Sequence, residues 1–200
     1  MDDTEIMEVN EAVRKYNSLG RKLTYADYAS WEDDGKRYEL IDGVVHLMGA
    51  PSARHQMILV QFIRQFGDFL DGKSCELLAA PFDVCLFGKG DDDETVVQPD
   101  VLIICDEIKL ENGKYCNGAP DLVIEVLSRS TSRLDRIVKQ NKYLQAGVRE
   151  YWIVDPFENN VNVHILENGK YLIEIYNSSD NIDVRVLTGC KIDLSKIFRD

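Results

Sequence analysis

Residues 118–131 read GAPDLVIEVLSRST, and the apolar run within this stretch decides which fold the chain can adopt. The run consists of Leu122, Val123, Ile124, Val126 and Leu127 and is typical of a strand that is buried on both faces. Glu125 lies in its middle. An ionised carboxylate in an apolar strand costs several kcal/mol unless another group compensates its charge. The sequence therefore predicts a partner for Glu125.

A helix and a second strand follow the strand around Glu125. Residues 130–148 read STSRLDRIVKQNKYLQAGV, with Leu134, Ile137, Asn141 and Leu144 at helical spacing, a cap at Ser130 to Ser132 and a stop at Gly147. Residues 150–156, EYWIVDP, predict the second strand. The unit from 121 to 154 favours a parallel pair of strands joined by a right-handed crossover.

The rest of the chain alternates between helical and extended patterns, without repeats or low-complexity linkers. The predicted helices span 3–17, a short segment capped by Thr24, and a long segment from Ser52 to about Gly72. Two hairpins are predicted, one of 38–41 and 44–48 that turns at Asp42-Gly43 and one over 160–176 that turns at Asn168-Gly169. The other predicted strands are one strand or two pieces in 75–87 broken at Pro81, a strand over 96–105 and a last strand at 183–187. This order favours an α/β or α+β fold in which helices pack on a mixed sheet. The length predicts a single domain, 1–200.

The composition is that of an ordinary globular protein, with 44% apolar and 29% charged residues and a formal net charge of −12. No stretch reaches the roughly 18 consecutive apolar residues of a membrane span, and the acidic N-terminal sequence MDDTEIMEVNEAV has no apolar signal-peptide core. We therefore expect a soluble cytoplasmic protein without a membrane partner. The negative charge argues against a protein that coats nucleic acid by bulk charge, so any contact with DNA is expected to be weak or transient.

The cysteines favour free thiols in a reducing compartment. Cys75, Cys85, Cys105, Cys116 and Cys190 are scattered singly and odd in number, and no two form a C-x-x-C pair. This pattern argues against a disulfide framework and against a zinc site.

Two acidic residues lie within apolar strand faces, and they can meet. Strand alternation places Glu125 on one face with Asp121, Val123 and Leu127, and it places Asp100 on one face with Gln98, Leu102 and Ile104. If the two strands are neighbours, Asp100 and Glu125 converge. Two like charges in a low-dielectric site repel, and a hard divalent cation such as Mg²⁺ or Mn²⁺ removes that conflict. The competing interpretation is that each acid caps a strand or lies at the surface.

The same residues carry a resemblance to a known family. QPD at 98–100 followed by PDLVIEV at 120–126 looks like the PD-(D/E)XK nuclease arrangement. More specifically, the chain resembles the Uma2 family of restriction-endonuclease-like proteins in LTYADYASWEDDGKRYELIDG (23–43), PSARHQ (51–56), QPDVLII (98–104) and APDLVIEVLSRSTSRLDRIVKQNKYLQAGVREYWIVDP (119–156). The resemblance implies a restriction-endonuclease-like core over 23–156, preceded by an N-terminal helical extension (1–22) and followed by a C-terminal β extension (157–200).

The resemblance also implies roles for individual residues. Asp100 and Glu125 are expected to be the metal ligands, joined by the carbonyl of Val126. The general pattern places a lysine at residue 127, where this chain has Leu127. The lysine of the family corresponds to Lys139 on the following helix, with Lys142 as its substitute if Lys139 points away. Lys139 alone would otherwise be a solvated helix residue paired with Asp135.

Three further residues complete the expected site. The resemblance places Glu39 near the active site, as a further ligand or an orienting acid, and it places His55 where it could contact a phosphate. Gln98 lies two residues before Asp100 and could line the site. His46 and His164 are interpreted as structural, Asp121 as a strand cap or a partner of the neighbouring loop, and Tyr143, Tyr151 and Trp152 as core residues.

These features together predict a Mg²⁺- or Mn²⁺-dependent endonuclease that hydrolyses phosphodiester bonds in DNA and, as such folds often do, forms a homodimer. Two alternatives remain open at this point: an inactive nuclease fold that serves as a binding module, and a metal-dependent hydrolase of a small phosphorylated substrate. The positions of Arg54, Arg129, Arg133 and Arg136 discriminate the endonuclease from the small-substrate hydrolase, because a duplex requires basic residues near the mouth of the site.

Overall fold

The structure, a computed structural model, describes residues 20–128 and 134–199. It describes the side chains of all these residues except 134–136. The predicted helix over 3–17 and the predicted cap at Ser130 to Ser132 lie outside the described residues.

The described elements follow the predicted order closely. The helices are α1 (Tyr25–Ala29), α2 (Ala53–Leu70), a π-helical segment (Leu134–Lys139) that continues into α3 (Gln140–Ala146), α4 (Leu194–Ile197) and 3₁₀ turns at Gly90–Asp92 and Glu107–Leu110. The strands are β1 (Tyr38–Ile41), β2 (Val44–Leu47), β3 (Glu76–Ala79), β4 (Val84–Cys85), β5 (Val96–Val97), β6 (Val101–Ile104), β7 (Cys116–Asn117), β8 (Leu122–Val126), β9 (Glu150–Asp155), β10 (Asn160–Glu167), β11 (Lys170–Asn177), β12 (Asn181–Asp183) and β13 (Lys191–Asp193).

The main sheet is mixed, as the sequence predicts. Its six strands lie in the order β11-β10-β9-β8-β6-β3. Strands β8 and β9 pair in parallel, and the segment that contains the π-helix and α3 connects them. The neighbouring pairs β6–β8, β9–β10, β10–β11 and β3–β6 are antiparallel.

Strand β8 is buried on both faces, because a helix packs on each side of the sheet. Leu122, Ile124 and Val126 face the core that α2 covers through Phe62 and Phe66. Val123 and Leu127 face the opposite core, which contains Tyr143 of α3. Alternation puts Glu125 on this second face, and its side chain reaches the hydroxyl of Tyr143. Burial on both sides explains why the strand is apolar throughout except at Glu125.

A second, five-stranded sheet has the order β2-β1-β5-β4-β7 and corrects one prediction. The predicted strand over 96–105 is two strands, because β5 belongs to this second sheet and β6 belongs to the main sheet. Pro99 lies between them and cannot donate a ladder hydrogen bond. The segment around Pro81 separates β3 from β4, which also lie in different sheets, so the predicted alternative of two pieces is the one that forms.

Two other predictions are wrong. Cys75 and Cys105 form a disulfide bond, since the β3–β6 register continues by one step to place them opposite each other. Cys85, Cys116 and Cys190 are free and buried, as predicted. The predicted last strand over 183–187 is wrong, because β12 ends at Asp183 and pairs with the actual last strand, β13 (Lys191–Asp193).

A helix with the length and hydropathy that a membrane span requires does not occur among the described residues.

Candidate active site

A cavity of about 70 Å³ lies where the two sheets and α2 meet. Its polar wall consists of Arg37 and Glu39 from the start of β1, His46 from β2, His55 from α2, Asp100 before β6, Glu125 from β8, Ser128 after β8 and Lys139 from the π-helical segment. The predicted residues Glu39, His55, Asp100, Glu125, Val126 and Lys139 all line it, whereas Gln98 is not part of the lining. The cavity is therefore the candidate active site.

The convergence of Asp100 with Glu125 follows from the strand register. Strand β6 is antiparallel to β8, with Val101 opposite Ile124, so the next step of the ladder places Asp100 opposite Glu125. Asp100 Oδ2 accepts hydrogen bonds from the Val126 amide at 2.8 Å and from His55 Nε2 at 3.0 Å. These contacts fix the Asp100 carboxylate at the edge of β8.

Lys139 is the partner that the sequence requires for Glu125. Its Nζ lies 3.0 Å from Glu125 Oε1 and 2.8 Å from Glu39 Oε1, and Lys139 is only 2% exposed. A buried ion pair of this kind is stable only when hydrogen bonds complete it. Tyr143 supplies one, since its hydroxyl donates to Glu125 Oε1 at 2.7 Å.

The local backbone explains why Lys139 points inward and Lys142 does not. Lys139 ends the π-helical segment, and α3 continues from Gln140. Lys142 instead pairs with Asp42 in the β1–β2 turn, at 2.7 Å. The lysine that reaches the carboxylates is thus the one that the family resemblance indicates, and the expected substitute is bound elsewhere.

Gln98 lies behind the cavity wall and contacts Glu39 and Arg37, which line it. Glu39 is 2% exposed, and its Oε1 accepts a hydrogen bond from the Gln98 amide at 2.8 Å. The Gln98 side chain donates from Nε2 to Asp83 at 2.9 Å and to the Tyr28 hydroxyl at 3.1 Å. Its Oε1 accepts from Arg37 Nε at 2.9 Å. Gln98 therefore holds the side chains of Glu39 and Arg37 in place.

Arg37, Tyr143 and His46 belong to the site, although none was predicted to do so. Arg37 and Glu39 are two residues apart at the start of β1, so strand alternation could have indicated Arg37. His46 lies directly opposite Glu39 in the β1–β2 ladder. Burial lowers the pKa of His46, and Lys139 lowers it further against the opposing effect of Glu39, so its imidazole is neutral at pH 7.

The remaining predicted residues lie outside the cavity wall. His164 is buried between Tyr151 and Tyr171, as a structural residue would be. Asp121 accepts from the Cys105 amide at 2.9 Å, which confirms the predicted contact with the neighbouring loop. Tyr151 and Trp152 are fully buried.

Of the four arginines that a duplex-binding site would place near its mouth, only Arg54 has a described side chain. Arg54 donates to the Pro156 carbonyl at 3.0 Å and to Asn159 at 2.6 Å, outside the cavity lining. Arg129, Arg133 and the side chain of Arg136 lie outside the described residues.

The donor set fits a hard divalent cation that keeps part of its water shell. Asp100 and Glu125 offer carboxylate oxygens, and the cavity has space for several water molecules. Mg²⁺ typically binds through one or two carboxylates and retains water, in contrast to a cation enclosed by protein ligands. Within the described part of the chain, no three His, Cys, Asp or Glu residues form a group that could hold a metal ion without help. The site is therefore suited to a cation that water and substrate help to bind.

Tyr143→Phe is expected to lower the free energy of unfolding by about 1–3 kcal/mol, because a buried hydrogen bond to a charged group is lost. Burial and the Glu125 and Glu39 carboxylates hold the pKa of the Tyr143 hydroxyl well above its ordinary value, so the group is a donor at all working pH values. Urea denaturation would measure the change. Tyr171→Phe is the control, since that hydroxyl donates to the neutral Val148 carbonyl. A loss no larger than the control would contradict a charged partner.

Comparisons with known proteins agree with this geometry. A sequence model of the Uma2 family, described as "Putative restriction endonuclease", matches residues 25–195. An uncharacterized protein of Synechocystis sp., slr1290, is 28% identical over 181 residues, which is 89% of this chain and 92% of that protein. The crystal structure of a protein from Anabaena variabilis ATCC 29413, described as a putative nuclease belonging to DUF820, superposes with a TM-score of 0.71 at 17% identity over 88% of this chain and 97% of that one. The superposition confirms the predicted restriction-endonuclease-like core.

Proposed function

The chain belongs to the Uma2 family, and on that basis we propose that it is a metal-dependent endonuclease that hydrolyses phosphodiester bonds in DNA. The observation that carries the proposal is the meeting of Asp100, Glu125 and Lys139 in one cavity, although they come from three separate segments. Two carboxylates can hold a divalent cation, and a nearby ammonium can stabilise negative charge on a phosphoryl oxygen.

Asp100, Glu125 and the carbonyl of Val126 would hold the cation, either Mg²⁺ or Mn²⁺. When bound, such a cation polarises a phosphoryl oxygen and lowers the pKa of a bound water. His55 and the Val126 amide keep the Asp100 carboxylate oriented through Oδ2. His55 therefore acts on the ligand in our proposal, and this contact replaces the expected contact with a phosphate.

Lys139 would place a fixed positive charge beside the reacting phosphate. Its ammonium can orient the attacking water or stabilise the negative charge that develops on the phosphoryl oxygens. Glu39 also holds the ammonium, because its Oε1 lies 2.8 Å from Lys139 Nζ. In the reaction, the water oxygen bonds to phosphorus in line with the leaving group, and the bond from phosphorus to the leaving sugar oxygen breaks. The water loses a proton to solvent, and the leaving oxygen takes one up from solvent, so the step balances.

The charge of the cavity supports a requirement for metal. Three carboxylates, those of Glu39, Asp100 and Glu125, lie in the cavity wall with two permanent cations, Lys139 and Arg37. A phosphodiester is itself an anion, and the carboxylates oppose its approach. A divalent cation held by Asp100 and Glu125 would offset their charge and favour binding.

One observation favours the inactive binding module as a second candidate. Lys139 already neutralises Glu125, and the described residues contain no group of three metal-ligating side chains. A fold that had lost its metal could be stabilised in this way. The formal net charge of −12 makes standing contact with DNA unfavourable in either case, so we propose that contact is transient. The homodimer and the cytoplasmic location stay predictions.

The deciding experiment follows Mn²⁺ binding by calorimetry and plasmid nicking on the same samples, for the wild type and Asp100→Asn. We expect the wild type to bind Mn²⁺ and nick the plasmid, and Asp100→Asn to lose both. Asp42→Asn is the matched control, because Asp42 is an exposed turn residue at φ 54°, a conformation that asparagine tolerates. Binding without nicking would favour a small phosphorylated substrate or the inactive module. Absence of binding at millimolar Mn²⁺ would overturn a site formed before substrate arrives.

A further inference from the structure

The guanidinium of Arg37 is a charged group in the cavity wall that the chemistry above does not use. Arg37 lines the cavity together with Glu39, Asp100 and Lys139. Its Nη2 is buried and has no hydrogen-bond acceptor among the described residues. A buried donor without an acceptor destabilises a protein, and the rare cases in native structures require an explanation. An acceptor supplied by a ligand is one such explanation.

Arg37 is held in place from behind. Its Nε donates to Gln98 Oε1 at 2.9 Å. The Gln98 amide group is in turn fixed by Asp83 and the Tyr28 hydroxyl, at 2.9 Å and 3.1 Å. Both Nε2 hydrogens of Gln98 are used in these bonds, so its side chain has no donor left for a substrate. The contacts leave Gln98 one role in the site, which is to set the plane of the Arg37 guanidinium.

Neighbouring carboxylates do not satisfy the guanidinium by themselves. Asp83 is close enough for the charge of Arg37 to favour its ionised form, but burial raises the pKa of Asp83 more strongly. The hydrogen bonds to Asp83 come from Gln98 and Tyr28 instead of Arg37. Glu39, two residues along the strand, is committed to Lys139 and to the Gln98 amide. Among the described residues, the carboxylates beside Arg37 are thus bonded to other groups, and Nη2 has no acceptor.

We propose that Arg37 is the phosphate-binding group of this site, donating to a non-bridging oxygen of the phosphodiester, and that Gln98 is the residue that positions it. The proposal rests on the proposed function, because it names the group that recognises the substrate of the same cavity. A guanidinium is planar, always charged and able to donate two parallel hydrogen bonds to a phosphate. It occupies the cavity wall alongside Lys139, so the phosphate contacts two cations while Asp100 and Glu125 remain available to the metal.

The test measures binding of a fluorescein-labelled 20-base-pair duplex by anisotropy over a series of salt concentrations, with Ca²⁺ in place of Mg²⁺ to suppress cleavage. We expect Arg37→Gln to weaken binding about tenfold and to reduce the slope of log K against log salt by about 0.9, the loss of one phosphate contact. Arg37→Lys keeps the charge, so it should restore the slope but only part of the affinity. Arg21→Gln is the matched control, because Arg21 pairs with Asp27 on the surface.

Gln98→Leu separates positioning from charge. It should weaken binding without changing the salt slope, and the double variant with Arg37→Gln should bind no more weakly than Arg37→Gln alone. Thermal melts by circular dichroism would verify that each variant is folded. A salt slope of Arg37→Gln equal to that of the wild type would overturn the proposal, as would additive losses in the double variant.

A second probe distinguishes failure of this proposal from failure of the proposed function. Inorganic phosphate is titrated into ¹⁵N-labelled wild type with Mg²⁺ present, and the Nε–H resonance of Arg37 is followed by NMR. If the wild type does not bind the duplex but the Arg37 resonance shows a saturable chemical-shift change with phosphate, DNA is overturned as the substrate and the phosphate site is supported. A wild type that responds to neither probe would overturn both.

Discussion

Glu125→Gln is expected to reduce metal-dependent cleavage of DNA about a thousandfold or more, equal to about 4 kcal/mol of lost transition-state stabilisation. The substitution preserves the size of the side chain, and the amide oxygen of glutamine can still accept from Tyr143, as Glu125 Oε1 does at 2.7 Å. It removes the negative charge that the cation requires. The fold should therefore survive while the metal site is lost.

The measurement is plasmid nicking with Mg²⁺ or Mn²⁺, accompanied by calorimetry of Mn²⁺ binding and a thermal melt. Glu150→Gln is the matched control, since Glu150 is a fully buried glutamate on β9, the strand that pairs with β8. Its carboxylate accepts from Trp152 Nε1 and the Val186 amide, and it does not line the cavity. We expect the control to retain nicking in its folded fraction. Nicking by Glu125→Gln at the wild-type rate would contradict the role of Glu125 as a ligand.

Periodicity was sufficient to predict the centre of the site. Glu125 stands out because every neighbour in its strand is apolar, and alternation assigns it to a face without any knowledge of the fold. Pairing of β6 with β8 then brings Asp100 opposite it. The helix between β8 and β9 follows from its 3.6-residue pattern and from the glycine that ends it, Gly147, at φ 87°.

The missed features depend on contacts between segments that are distant in the chain. The sequence predicts that Tyr143 is a core residue, and the residue is fully buried. Only the packing of α3 on β8 reveals that its hydroxyl donates to Glu125. The Cys75–Cys105 bond requires the β3–β6 register, which a count of cysteines cannot supply. The division of 96–105 into two strands at Pro99 also depends on distant contacts, because an extended sequence pattern does not indicate to which sheet a strand belongs.

The inward orientation of Lys139 could not be predicted from helical periodicity alone. On a regular helix its i,i+4 relation to Asp135 predicts a solvated pair. The structure instead places Lys139 at the end of a π-helical segment, where one turn contains an additional residue and the direction of the following side chains changes. Sequence periodicity does not reveal such a turn. The resemblance to the Uma2 family indicates Lys139, and Lys139 is the lysine that contacts Glu39 and Glu125.

Lys139→Met is expected to lower the free energy of unfolding by about 3–5 kcal/mol, because it leaves two buried carboxylates without their shared cation. Lys139 Nζ lies 2.8 Å from Glu39 Oε1 and 3.0 Å from Glu125 Oε1, and methionine has a similar length but no charge. Urea denaturation in EDTA would measure the loss. Lys142→Met is the matched control: its partner Asp42 is an exposed turn residue, so a cost of only about 0–1 kcal/mol is expected. Equal losses in the two variants would contradict the buried ion pair.

The same variant separates the structural role of Lys139 from its role in catalysis. A divalent cation can take over the neutralisation of Glu125, so adding Mg²⁺ should raise the melting temperature of Lys139→Met more than that of the wild type or of Lys142→Met. Cleavage should nevertheless stay about a hundredfold or more below the wild type, because the cation cannot replace an ammonium at the reacting phosphate. If Mg²⁺ restored both the stability and the cleavage activity of Lys139→Met, Lys139 would be only a structural counter-ion. If Mg²⁺ did not change the melting temperature of this variant, the result would contradict a metal site at Glu125.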